Sequence, residues 1–223
     1  MPAESGPTQL IKIKGPKLLL VEEKDEESFF GSLLDHMGIG SVQVYGYGGK
    51  DKFAGLFPSI WNDLALVEIY AVTRDADGDS DGAFQSIAGV LKKHNEPVPR
   101  KAGKFIEKAG NPRKVGIYIL PGRGGKTGML EDLCLASVAG HSVMPCVKDF
   151  IGCLKKKLPA RPADSPRGER GQYFPKNESK ARAQAFLAAM DDCPTVGVAA
   201  QGHCWDFNSP EFTEMKTFLK QFR

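Results

Sequence analysis

Short apolar runs alternate along this chain with segments of helical periodicity, and this alternation limits the possible folds more than any other feature. The predicted strands are the runs Leu18–Val21, Val42–Tyr45, Leu64–Val72 and Val115–Leu120. Strands that alternate with helices form βαβ units. We therefore predict an α/β fold with a mainly parallel central sheet flanked by helices, followed by C-terminal helical additions.

The composition of the chain predicts its division into segments. A length of 223 residues suits one large domain or two small ones. We expect a flexible leader over residues 1–16 and a single domain over residues 17–223. Stretches rich in proline and charge predict surface excursions near residues 95–113 and 159–175.

Bulk properties indicate neither a disulfide framework, nor a zinc knuckle, nor a membrane span. Hydrophobic residues make up 41% and charged residues 26% of the chain, as in a soluble globular protein. The five cysteines have no CxxC spacing, and no apolar run is long enough to span a membrane. We expect a cytoplasmic protein without membrane contact. The net charge of +3 is too small to identify a nucleic-acid binder by itself.

Two acidic clusters follow predicted strands. Asp75, Asp77, Asp79 and Asp81 alternate directly after the strand that ends at Val72, and Glu22 follows Val21. Like charges at a strand end repel one another unless a cation neutralises them, and hard cations prefer oxygen ligands. Because ligands of parallel sheets sit at the carboxyl ends of the strands, a divalent-metal site is predicted at this edge.

The acidic loop has two other interpretations. Asp77, Asp79 and Asp81 match the first ligand positions of an EF-hand calcium loop, but Ala88 stands where a bidentate glutamate is required. Alternatively, the acids belong to a solvated turn at a helix N-terminus, where they face the helix dipole. We assign Asp79 and Asp81 to the turn, and Asp75 and Asp77 to the metal site.

Three further features lie at the same predicted edge. The glycine-rich loop Pro121–Thr127 lacks the spacing of a Walker phosphate-binding loop and predicts a flexible turn, or a backbone contact to an anion. Glu131 is either a first-turn helix acid or a third acidic contributor to the metal site. Lys50 is either a surface lysine or a group that neutralises a phosphate.

An Asp-x-Asp pair after a strand also occurs in haloacid-dehalogenase phosphatases. There the pair follows the first strand, whereas Asp75 and Asp77 follow the third predicted strand.

The ordered set of motifs resembles a Toprim domain. The segment Val21–Glu26 resembles the family pattern VEGxxD, and the later Asp75-x-Asp77 resembles its DxD strand end. The chain is most similar to a small group of stand-alone prokaryotic Toprim-like proteins, related to the overcoming-lysogenisation-defect nucleases. The similarity extends over most of the chain and includes the segments Gly48–Asp51 and Gly128–Asp132.

The resemblance implies a Mg²⁺ (or Mn²⁺) site formed by Glu22, Asp75 and Asp77, with Glu131 as a further ligand and Lys50 as a substrate contact. It implies a nuclease-like activity, with phosphodiester chemistry on a nucleic-acid partner. Two departures from the pattern are Glu23 in place of glycine and Glu26 in place of aspartate. The alternative is a non-catalytic, metal-stabilised module that binds nucleic acid, a protein partner or a second copy of the chain.

Overall fold

The computed structural model describes residues 12–60, 63–122, 127–162 and 173–223. The strands are β1 (Lys17–Val21), β2 (Val42–Gly46), β3 (Ile69–Asp75), β4 (Lys104–Lys108) and β5 (Asn111–Leu120). The helices are α1 (Lys24–His36), α2 (Phe53–Ile60), α3 (Ser80–Lys93), α4 (Leu130–Ser137), α5 (Met144–Lys157), α6 (Glu178–Leu187), α7 (Val196–Gln201) and α8 (Thr213–Leu219).

The five strands form one sheet in the order β2-β1-β3-β5-β4. Strands β2, β1, β3 and β5 are parallel, and β4 pairs antiparallel with β5 at one end of the sheet. The predicted α/β class with a mainly parallel sheet is confirmed, and the arrangement is consistent with a Toprim-like fold. The parallel pairing brings the carboxyl ends of β1, β3 and β5 to one edge.

Helices cover both faces of the sheet. One face packs against α1 and the helices from α4 to α8, while the other packs against α2 and α3. The central strands are therefore buried on both sides, and this is why they are continuous apolar runs rather than alternating ones. The C-terminal helices thus enlarge one of the two cores, and they correspond to the predicted C-terminal helical additions.

Two details of the predicted elements were wrong. The predicted excursion over residues 95–113 contains β4 and the start of β5. Strand β4 has the sequence Lys-Phe-Ile-Glu-Lys, whose lysines suit an exposed sheet edge but hide the strand from an apolar-run search. The predicted strand Leu64–Val72 begins too early, because Asp63–Leu66 form a 3₁₀ helix and β3 runs from Ile69 to Asp75.

Parts of three predicted segments lie outside the described residues. They are residues 1–11 of the leader, residues 123–126 of the glycine-rich loop and residues 163–172 of the second excursion. Within the leader, Ile13 is buried, and the Lys14 N–H donates to Gln43 Oε1 at 2.7 Å. Among the described residues, no helix is both long and apolar enough to cross a membrane.

Candidate functional site

Two of the predicted site residues meet where neighbouring strands end. Glu22 directly follows β1, and Asp75 is the last residue of β3, which pairs with β1. The backbone N–H of Asp75 points to Glu22 Oε2, with an N···O distance of 3.4 Å. Burial raises the pKa of Glu22, and the charge of Asp77 raises it further. The sequence thus predicted this pair of acids at one edge of the sheet.

Glu26 joins the pair from the first turn of α1. Its side chain is buried, and its Oε2 accepts a hydrogen bond from the Glu22 N–H at 2.9 Å. Burial raises its pKa from 4.5 to about 8, and the charges of Glu22 and Glu131 act in the same direction. In the sequence, Glu26 stands out only as a departure from the VEGxxD pattern. Its spacing of four residues from Glu22, at a helix start, is the signal that could have identified it.

Asp75 is surrounded by other carboxylates. Burial raises its pKa well above the ordinary value, and the charges of Glu26, Glu131 and Glu22 raise it further. A hydrogen bond to Asp75 Oδ1 from the Leu130 N–H, 3.0 Å long, partly offsets this rise. Leu130 begins α4, so the aspartate accepts from an N–H group that has no partner within the helix.

Glu131 and Asp132 have different environments. Burial raises the pKa of Glu131, whose Oε1 lies 4.0 Å from Lys180 Nζ. Asp132 accepts hydrogen bonds from the Met129 N–H at 3.0 Å and from the Ser179 hydroxyl at 2.6 Å. Asp132 therefore stabilises the start of α4 and its packing on α6. Glu131 is the member of the pair whose charge acts on Asp75 and Glu26.

Asp77 lies at the exposed rim of the acidic edge. Its backbone has a φ of 50°, and its N–H and C=O both bond to Gly128 at 2.9 Å, which joins the acidic loop to the segment before α4. The half-exposed Asp77 carboxylate lies 3.9 Å from Lys50 Nζ. The structure therefore brings Lys50 to the rim, next to Asp77 rather than to the buried acids.

Asp79 has a structural role. Its side chain caps α3 by accepting a hydrogen bond from the Gly82 N–H at 2.8 Å. Asp81 lies exposed in the first turn of the same helix. These contacts confirm the predicted helix N-terminus. They also engage one of the carboxylates that an EF-hand loop would need.

The donor chemistry of the edge fits a hard cation. Glu22, Glu26, Asp75 and Glu131 offer only carboxylate oxygens, which are ligands that Mg²⁺ and Mn²⁺ accept. In the described ranges, neither lysine nor arginine forms an ion pair with Glu22, Glu26 or Asp75. No three of the described His, Cys, Asp and Glu residues form a compact ligand cluster. The carboxylates of Glu26 and Asp75 accept from backbone N–H groups instead.

A comparison with known families assigns the chain to one of them. Residues 16–223 match the model of the family described as "Protein of unknown function (DUF3226)". The chain belongs to this family. The DUF3226 match includes every strand, every described helix and all the acidic residues of the edge. Searches of curated proteins and of solved structures gave no match.

Proposed function

We propose that the acidic edge binds Mg²⁺ or Mn²⁺ and that the protein carries out nuclease-like phosphodiester chemistry on nucleic acid. The observation that carries the proposal is Asp75, a carboxylate whose pKa is raised by burial and then by the charges of three other acids. Ionising such a group costs free energy unless a cation compensates its charge. Carboxylates in this arrangement are common at sites that must hold a metal against phosphate oxygens.

The ligands in this proposal are Glu22, Asp75 and Asp77, with Glu131 as a further ligand. A bound divalent cation polarises a phosphoryl oxygen and lowers the pKa of a bound water. Glu22 is the proposed general acid or base, and its raised pKa suits proton transfer closer to neutral pH than an ordinary glutamate allows. Glu26, whose pKa burial raises to about 8, accepts from the Glu22 backbone N–H and so helps to hold Glu22 in place.

Lys50 is the proposed substrate contact. Its Nζ lies 3.9 Å from the rim carboxylate of Asp77, and both side chains are about half exposed. A phosphate that approaches the edge from solvent would meet this ammonium group before it meets the buried acids. Lys180, which lies 4.0 Å from Glu131, is a second cation within the same acidic surroundings. Burial lowers the pKa of Lys180, but the charges of the acids around it, with Glu131 and Asp75 the largest, together raise it by more.

The proposal is tested by cleavage of nucleic acid. Purified protein is incubated with supercoiled plasmid, single-stranded DNA and single-stranded RNA, in Mg²⁺, in Mn²⁺ and in EDTA. We expect cleavage that requires the metal and falls at least 100-fold in Asp77→Asn, which removes a half-exposed charge without disturbing the core. The control is Asp149→Asn, an exposed position on α5. Metal-dependent cleavage that persists in Asp77→Asn would contradict the assignment.

A second candidate is a metal-stabilised binding module without catalytic activity. It is favoured by the modest net charge of +3, since a stand-alone nuclease often carries a broader basic face. In this case the protein would act through a nucleic acid, a protein partner or a second copy of itself. The two candidates differ in one result. The binding module would gain thermal stability from Mg²⁺ and lose that gain in Asp77→Asn, but it would cleave none of the three substrates.

A further inference from the structure

A groove of about 1180 Å³ lies beside the acidic edge. Its walls are the first turns of α3, the segment from Arg100 to Phe105 that leads into β4, and helix α8. Ile119 and Gly122, at the end of β5, also line it. The groove therefore opens at the end of the sheet where the predicted metal ligands lie, although none of those ligands is part of its lining.

The strand register gives the separation between the groove and the acids. Asp75 pairs with Leu120 across β3 and β5, and Lys104 pairs with Ile117 across β5 and β4. The Gly103 N–H also bonds to the Ile117 carbonyl at 2.8 Å. Strands lie about 4.8 Å apart, so the segment before Lys104 lies roughly 10 Å from Asp75, two strands away.

Three exposed cations lie on one wall of the groove. Arg100, Lys101 and Lys104 are exposed, and none of them forms an ion pair with a described residue. The lining also contains the acids Asp81, Glu107 and Glu214, of which Glu107 lies 3.7 Å from Lys114 Nζ. Arg100, Lys101 and Lys104 have no ion pair within the described residues, and a group of such cations attracts a polyanion.

Aromatic rings line the same groove. Phe105 is partly exposed, and its position is fixed because its ring lies 4.5 Å from that of Phe218 and directly over Gly116. Lys114 Nζ lies 5.9 Å from the centre of the Phe105 ring. The half-buried Phe84 contributes from α3. Cations that follow a backbone, together with rings on which bases stack, are the features by which proteins bind single-stranded nucleic acid.

We propose that this groove binds single-stranded nucleic acid, with its phosphates on Arg100, Lys101 and Lys104 and its bases against Phe105 and Phe84. The inference rests on the proposed function, because the groove would bind the same strand that is cleaved at the acidic edge. A duplex keeps its bases stacked inside, so its bases cannot reach the aromatic lining. The ligand class is therefore a single strand, of DNA or RNA.

The test measures binding without metal, so that it is independent of cleavage. Fluorescein-labelled 12-nucleotide DNA and RNA strands are titrated with protein in EDTA and followed by fluorescence anisotropy at several salt concentrations. The variant Arg100→Gln/Lys104→Gln removes two phosphate contacts. We expect an affinity loss of roughly tenfold or more, and a salt dependence whose log–log slope falls by about 1.4. The matched control, Lys148→Gln/Lys156→Gln on α5, is expected to bind like the wild type.

Three outcomes would overturn the inference. Equal affinity of the groove variant and the control would place the binding surface elsewhere. Equal affinity for a duplex would remove the single-strand assignment, and equal competition by a free mononucleotide would make the groove a nucleotide pocket. Binding that persists in Asp77→Asn while cleavage is absent in every protein would leave the groove standing and refute only the proposed nuclease activity.

Discussion

Individual carboxylates at the acidic edge are held by backbone N–H groups rather than by cationic side chains. The Glu22 N–H donates to Glu26, and the Leu130 N–H donates to Asp75. Such hydrogen bonds stabilise an ionised carboxylate, but the pKa values of all three acids remain raised because burial and mutual repulsion are larger. We therefore expect the folded protein to gain stability when these acids are protonated.

The raised pKa of Glu26 makes the free energy of unfolding depend on pH. Its pKa is about 8 in the folded protein and near 4.5 when the chain is unfolded. Between these values the folded state binds more protons than the unfolded state, so the free energy of unfolding should fall as pH rises from about 4.5 to 8. The steepest slope from one group is about 1.4 kcal/mol per pH unit. Glu26→Gln, which retains an acceptor for the Glu22 N–H, should remove this slope.

Urea unfolding in EDTA at pH 5, 6, 7 and 8 measures this effect. The control is Glu68→Gln, which changes an exposed glutamate and should leave the pH dependence as it is in the wild type. If Glu26→Gln unfolds with the same pH dependence as the wild type, the raised pKa of Glu26 is excluded.

Lys50 provides a separate test at the rim. Its pair with Asp77 is half exposed and 3.9 Å long, so Lys50→Ala should change the free energy of unfolding by at most about 0.5 kcal/mol. If Lys50 contacts a phosphate, the same variant should cleave nucleic acid roughly tenfold more slowly, since it loses one charge-assisted contact. Lys52→Ala, an exposed lysine two residues away, serves as the control. If Lys50→Ala is destabilised but cleaves as fast as the wild type, Lys50 has a structural role and does not contact the phosphate.

Among the elements, the pair α1 and α7 fixes the position of Glu26. Asp25 Oδ1 accepts hydrogen bonds from the Thr195 hydroxyl at 2.5 Å and from the Gly197 N–H at 3.0 Å, so the start of α1 caps α7. The indole of Trp205 donates to the Val196 carbonyl at 2.9 Å. The C-terminal part of the chain thus supports the helix turn that brings Glu26 to the acidic edge.

Gly197 makes this packing possible and supplies an element-scale prediction. A Cβ at Gly197 would lie 2.2 Å from the backbone oxygen of Asp25, a contact that only movement of α7 away from α1 could relieve. We expect Gly197→Ala to lower the free energy of unfolding by roughly 3 kcal/mol, as overpacking does at rigid sites. Gly89→Ala is the control, because a Cβ there meets nothing within 4 Å and alanine favours the helix by about 1 kcal/mol. Similar stabilities of the two variants in urea would show that α7 is free to shift.

How far the sequence predicts the structure depends on the kind of element. Strands β1, β3 and β5 are predictable because strands buried on both faces are continuous apolar runs. Strand β4 was missed because charged residues occupy both of its ends, and α7 has only six residues, too few for a helical period. Asp75 and Glu22 could be paired from strand order alone. The meeting of Glu26 with Asp75 depends on the orientation of α1, which strand order does not specify.

On the scale of the whole molecule, opposite charges are separated along one edge of the sheet. The acids follow β1 and β3 near its centre, and the cations of the groove precede β4 at its end. The net charge of +3 averages these two regions and conceals both. This separation suits a polyanion that binds at one end of the edge while a metal neutralises the other, because the acids alone would repel it.

Metal binding should therefore stabilise the whole fold and do so more strongly at higher pH. A ligand that binds only the folded state adds about 2.7 kcal/mol to the free energy of unfolding at 100 times its dissociation constant. Because the raised pKa values of Glu22, Glu26 and Asp75 mean that protons must leave before a cation is held, affinity for Mg²⁺ should rise between pH 6 and pH 8. Thermal unfolding across a Mg²⁺ titration at both pH values measures this. Asp75→Asn should abolish the metal-induced rise in Tm, whereas a rise that persists in that variant, or is equal at both pH values, would place the metal away from these acids.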